Sequence, residues 1–154
     1  MFTVVTGRNG TGKTALLEEV QRAAGRLTCG RHPVPSCTFF LGDRAGGTAR
    51  FTEIRAALSQ PPCSLLCIEE VERGLDPWTV REALAELRSA ASHGVQIVVT
   101  THSPWVLDQV PLGCIVQARQ VDGSVRYERF CERQEVQAYA PSVPPGTRYG
   151  NEAE

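Results

Sequence analysis

The sequence has no apolar run near the roughly eighteen residues that a membrane-spanning helix needs, so no membrane segment is expected. It has almost no net charge. Its 16 Lys and Arg against 17 Asp and Glu leave −1, so no global field draws in nucleic acid. A local basic patch survives that count, and direct nucleic-acid contact stays open. The chain starts on a strand pattern, with no charged segment leading into an apolar one, so no signal peptide is expected. None of the six cysteines, Cys29, Cys37, Cys63, Cys67, Cys114 and Cys131, falls in a C-x-x-C pair. Reduced thiols and a cytoplasmic location are the expectation, with a zinc site the minor alternative. No internal repeat is visible, and 154 residues predict one domain with a sizeable core.

What is present is concentrated near the start. Gly7-Arg8-Asn9-Gly10-Thr11-Gly12-Lys13-Thr14 fits G-x-x-x-x-G-K-[ST]. A β-branched run, residues 2–6, precedes it, and a helical pattern from Ala15 to Arg22 follows. Strand, glycine loop and helix are the context in which backbone N–H groups and a helix N-terminus wrap a phosphate. Lys13 offers a charge to the β- and γ-phosphates, and the Thr14 hydroxyl a ligand for Mg²⁺. Arg8 is a candidate for the mouth of that site, as is Arg44, although arginines beside glycine loops need no role.

Further along, strands and helices alternate. A helix is expected to end at Gly25, a strand to cover residues 37–41, and a helix residues 51–58. The apolar run Ser64 to Ile68 ends on Glu69-Glu70. Acids at the carboxyl end of a buried strand suit a metal-nucleotide site: Glu69 for Mg²⁺, Glu70 for the attacking water. Asp76-Pro77 reads as N-cap and first helical residue, leading a helix with Val80, Leu84, Leu87 and Ala91 on one face. Residues 95–100 are another buried strand. Two more strands, 114–120 and 124–130, are joined by a hairpin turn at Asp122-Gly123. The expected fold is α/β with a mostly parallel central sheet flanked by helices, ending in a C-terminal β-hairpin. Residues 1–131 form the domain, and 132–154, rich in Pro, Gly and polar residues towards its end, an irregular tail.

Together these segments resemble the ABC class of P-loop ATPases. Residues 69–77, EEVERGLDP, are similar to that class's D-E-P-T-S-G-L-D-P, with Gly74-Leu75-Asp76-Pro77 matching outright. Val98 to Pro104, VVTTHSP, resembles its switch segment, which makes His102 the switch histidine. Asn9-Gly10 and His102-Ser103-Pro104 resemble the branch of structural-maintenance-of-chromosomes, RecF-like and overcoming-lysogenization-defect ATPases. The resemblance spans roughly residues 2–130. It implies a P-loop NTPase fold that binds and hydrolyses Mg-ATP, with Glu70 and His102 catalytic. It also implies a nucleotide sandwiched between two subunits. Ala45-Gly46-Gly47 stands where the family carries L-S-G-G-Q, and would reach the partner's nucleotide together with Asp76. Ala45 replaces the serine and Thr48 the glutamine, so a hydroxyl donor is lost. Glu69 replaces the usual Asp.

The stretch before that turn is too short for the family's glutamine loop and full helical subdomain, so a reduced subdomain is expected. The hairpin that carries the family's adenine-stacking aromatic ahead of the phosphate loop is not expected from this sequence. His32 and His93 read as solvated, and Trp78 and Trp105 as core or partner surface. Three functions compete. One is an ATPase that forms an ATP-dependent homo- or heterodimer and drives a nuclease or other DNA-acting partner in repair, maintenance or defence. Another is an ATP-sensing regulatory subunit without turnover. The last is a transporter's ATP-binding subunit, disfavoured because the usual membrane-coupling elements do not fit.

Overall fold

The computed structural model of the protein describes residues 1–27, 36–40, 47–59, 63–139 and 141–152. Along the chain these form β1 (Phe2–Thr6), α1 (Lys13–Leu27), β2 (Ser36–Phe40), α2 (Gly47–Ser59), β3 (Cys63–Ile68) and α3 (Pro77–Ser92). There follow β4 (Gln96–Thr101), α4 (Pro104–Leu107), β5 (Ile115–Val121), β6 (Ser124–Arg129), α5 (Gln134–Gln137) and α6 (Pro145–Glu152). The strands make one six-stranded sheet in the order β2-β3-β4-β1-β5-β6. The pairs from β2 to β5 are parallel, and β6 runs antiparallel to β5. This is the expected mostly parallel sheet of a P-loop NTPase. No helix among the described residues is long and apolar enough to cross a membrane.

Composition explains the layout. β1 lies between β4 and β5, with Val4 and Val5 closed off from solvent, and its β-branched run fits a central strand covered on both faces. Helix α3 turns Val80, Ala83, Leu84 and Leu87 inward at helical spacing onto Leu66, Ile68, Ile97 and Val99. The Asp76 carboxylate caps its start, accepting the amides of Trp78 at 3.0 Å and Thr79 at 3.1 Å. Arg55 ties α2 to α3 by reaching Glu82 at 2.6 Å and gripping Glu86 with its Nε at 2.9 and 3.0 Å. Its guanidinium also lies over the Phe51 ring, 4.3 Å from the centroid. These charges are exposed, so the clasp fixes orientation more than it adds stability.

Element ends depart from expectation where glycine and proline misled. α1 continues through Gly25 to Leu27, because a glycine within a helix lowers its stability without ending it. α2 starts at Gly47 rather than at Phe51, and Gly47 takes the left-handed φ of 64° that turns the chain into the helix.

Residues 132–154 are not irregular throughout: α5 and α6 form there. Pro144-Pro145-Gly146 looked like loop, yet Pro145 is a permitted first helical residue. Tyr149 meets Phe130 edge-to-face at 6.4 Å, and the buried Arg148 donates from Nε to the Val143 carbonyl at 2.9 Å. The Gly146 amide donates to Asp108 Oδ1 at 2.6 Å. A Cβ at Gly146 would lie 1.9 Å from the Pro104 carbonyl oxygen, so here glycine is needed for contact rather than for a turn. Gly146→Ala is therefore expected to destabilise by about 1–3 kcal/mol through overpacking. Gly150→Ala, where nothing lies within 4 Å, should stabilise by roughly 0.5–1 kcal/mol. Thermal melts of both variants check this, and shifts of the same sign would mean that α6 is not held against α4.

Candidate functional site

The sheet order brings three carboxyl strand ends together. β1 runs into the glycine loop, β4 into His102, and β3 into Glu69-Glu70, with β4 lying between the other two. A cleft of about 260 Å³ opens there, walled by Asn9, Gly10, Gly12, Lys13, Thr14, Glu69, Glu70 and Thr100. Ligands bind at this edge of open α/β sheets.

The loop is shaped by its own bonds. The Thr11 hydroxyl and amide both donate to the Arg8 carbonyl, at 2.7 and 3.2 Å. Gly7 sits at φ 154°, and a Cβ there would stand 2.5 Å from both the Ala118 carbonyl oxygen and Thr11 Oγ1. No other residue fits without moving β5 or the loop. Lys13 folds over the turn, its Nζ donating to the carbonyls of Gly7 at 2.7 Å and Arg8 at 2.9 Å. Burial pushes its ammonium below the usual lysine range, while the carboxylates of Glu70, Glu72 and Glu69 pull the other way. A phosphate drawn into the cleft would add to that second influence.

Opposite the loop, the Thr14 hydroxyl donates directly to Glu69 Oε1. The two groups that could ligate a hard cation are thus already in contact, across fifty-five residues of sequence. Among the described residues no three His, Cys, Asp or Glu cluster as a metal cage. That donor set suits Mg²⁺, which takes one or two protein oxygens and completes its shell with water and phosphate.

Glu70 occupies a left-handed backbone conformation, φ 46°, rare for a side chain of its size. Its amide donates to Thr100 Oγ1 at 2.9 Å, and the Val71 amide continues onto the Thr100 carbonyl at 3.1 Å. Strained residues of this kind gather at functional sites, where surrounding bonds hold them. Glu70 Oε1 lies 3.5 Å from His102 Nδ1, and its other oxygen 3.5 Å from Arg73.

Four residues here escaped the sequence reading. Glu72 Oε1 accepts the Thr101 hydroxyl at 2.8 Å and the His102 amide at 3.3 Å, and stands 3.5 Å from His102 Nδ1. His102 is therefore held between Glu70 and Glu72. Thr100 braces Glu70 as described. Arg50, almost fully buried on α2, donates to the Glu69 carbonyl, and its Nη1 has no partner among the described residues. Burial, and Arg73 nearby, press its guanidinium below the usual arginine range. Tyr127, on β6, donates its hydroxyl to the Gly12 carbonyl at 2.9 Å. Glu72, Thr100 and Arg50 stand inside or beside the recognised segments and were open to notice as polar residues there. Tyr127 carries no local signal.

Other expected site residues are placed differently. Ala45 and Gly46 lie outside the described residues. Gly47 stands against the Gly74 turn, where an added Cβ would be 3.1 Å from the Gly74 carbonyl oxygen. The Asp76 carboxylate caps α3, and its bonds to Thr79 hold it below the usual carboxylate range. Neither Gly47 nor Asp76 is among the residues walling the cleft. Arg8 and Asn9 are exposed on the loop. Cys114 and Cys131 are free thiols.

Fold and site together define the class: an α/β domain with the fold of a P-loop NTPase and a cleft at the end of its phosphate loop. The comparisons agree at that level. A family model described as "AAA domain, putative AbiEii toxin, Type IV TA system" matches residues 46–108, the span from Gly47 through Glu69, Glu70 and His102 to α4. No curated protein matches the chain. Among solved structures, one described as "Structure of ATP binding subunit of ABC transporter" superposes with a TM-score of 0.57 and 15% identity, covering 99% of this chain and 88% of that one. At that identity the likeness is one of fold.

Proposed function

We propose that the protein binds Mg-ATP and hydrolyses it in a site completed by a second subunit. The observation that carries this is the bond from Thr14 to Glu69, which joins the phosphate loop to the acidic strand end. On this reading the loop amides and Lys13 hold the β- and γ-phosphates. Thr14 and Glu69 hold Mg²⁺, whose charge would offset that of the phosphates. Glu70 orients the attacking water and takes its proton, and His102, fixed by Glu72, faces the same phosphate.

The open side of the γ-phosphate needs donors for the charge that develops in the transition state. Ala45-Gly46-Gly47 and Asp76 are the proposed contribution of a partner subunit across that opening. What supports this is that Gly47 meets the Gly74 turn at one edge, away from the cleft of its own chain. The partner is a second copy or a related ATPase. The resemblance of Asn9-Gly10 and His102-Ser103-Pro104 to the chromosome-maintenance branch supports a role beside a nuclease or other DNA-acting protein.

Turnover per subunit measured over a range of protein concentrations tests the proposal. A rate that rises with concentration is expected. A Mg-dependent rate that stays flat would mean a self-sufficient monomer. Tight ATP binding without turnover, alone and with candidate partners, would establish a non-hydrolysing sensor instead.

A further inference from the structure

The phosphate loop has two flanks, and the acids occupy one. In the order β3-β4-β1-β5-β6, Glu69, Glu70 and His102 all lie on the β4 side of β1. A triphosphate whose terminal group sits by Lys13 and Glu70 has the opposite flank, where β5 and β6 stand, open to its other end.

That flank carries an unusual pair. Val125 and Tyr127 alternate on one face of β6, and the register Ala118↔Tyr127 and Gln120↔Val125 places them beside the loop. Ala118 lies against Gly7, where an added Cβ would stand 3.3 Å from the Ala118 Cβ. A Cβ on Gly12 would be 3.2 Å from the Tyr127 hydroxyl and 3.3 Å from both Val125 methyls, so the pair reaches the point where the loop becomes α1. Yet each remains 40% exposed, on a strand otherwise made of Ser124, Arg126, Glu128 and Arg129. A β-branched residue and an aromatic ring left open beside a phosphate cleft form a small apolar shelf on a polar strand.

Resting on the nucleotide reading above, we propose that this shelf seats the nucleoside of the bound nucleotide, with the base against the Tyr127 ring and Val125. A planar heteroaromatic ring is the ligand chemistry that fits. Its face stacks on the tyrosine, and its burial covers the exposed valine. The Tyr127 hydroxyl, anchored on the Gly12 carbonyl, fixes the ring relative to the phosphate loop. The shelf therefore acts as a ruler between base and phosphate. Stacking is tolerant of base identity, so the shelf favours purines by area rather than reading one base edge.

The test compares ATP with inorganic tripolyphosphate by calorimetry on the full chain, with melting curves to establish folding. Tyr127→Ala should lower ATP affinity about tenfold or more and leave tripolyphosphate affinity unchanged within about twofold. Tyr127→Phe keeps the ring and should retain most ATP affinity. If Tyr127→Ala fails to fold, Val125→Ser at the exposed neighbouring position carries the same comparison. An unchanged ratio of ATP to tripolyphosphate affinity in the folded variant would overturn the proposal. So would an equal loss from Tyr127→Phe, which would make the hydroxyl a support for the loop. A wild-type protein that binds tripolyphosphate as tightly as ATP also ends this inference and leaves the phosphate site standing. Binding of neither ligand would instead end the nucleotide reading itself.

Discussion

Lys13→Ala is expected to lower ATP affinity about a thousandfold. Nζ already lies within hydrogen-bond distance of the Gly7 and Arg8 carbonyls, so it is held over the loop and pointed at the cleft. The side chain is buried, and a phosphate about 4 Å away at an effective dielectric near 20 is worth about 4 kcal/mol. That converts to roughly three decades in the dissociation constant. Arg8 is exposed at the far side of the turn and contributes its carbonyl rather than its guanidinium, so it is not a substitute. Calorimetry reads the result. An affinity within about threefold of wild type would remove Lys13 from the phosphate.

Glu70→Gln should keep ATP binding within a few-fold and lower hydrolysis by roughly 10²–10⁴, the usual worth of a general base. The amide matches the carboxylate in shape and can still orient water, but takes no proton. Its backbone strain is unrelieved, because the bond from its N–H to Thr100 belongs to the main chain. Glu69→Gln should behave differently. It removes the negative charge beside Thr14, so the dependence on Mg²⁺ and the binding of Mg-ATP should weaken together. With turnover stopped and ATP held, Glu70→Gln should also accumulate as an ATP-bound dimer in sedimentation. Identical defects in the two variants, or the reverse order, would undo the division of labour between the acids.

Much of this was legible because it is local. The β1 strand, the glycine loop and the start of α1 are contiguous, and the bonds from Thr11 and Lys13 that shape the loop reach back only to Arg8 and Gly7. The Glu69-Glu70 strand end and the Asp76-Pro77 helix start carried similarly local signatures. What the sequence hid depends on residues far apart. Tyr127 meets Gly12 across 115 positions, and nothing near Tyr127 announces a partner. Arg50 has no local signal for its partner, because its bond to the Glu69 carbonyl exists only once α2 lies under the end of β3. Glu72 falls within a recognised motif, but its grip on Thr101 and His102 exists only with β3 and β4 side by side. The tail misled for the opposite reason. Its Pro and Gly content is a sound local argument for loop, overridden by the contact that only Gly146 permits.

The docking of α6 on α4 has a mechanical corollary. α4 begins two residues after His102, and Asp108 at its end holds the amide of Gly146. With the Gly146 backbone packed directly on the Pro104 carbonyl, the two helices have no slack between them. A displacement of the histidine segment that carries α4 along must either take residues 145–149 with it or break that seam. Helix α6 is thus coupled to the His102 segment through α4. A change in how α6 packs on α4 is therefore expected to reach the His102 segment through Pro104 and Asp108.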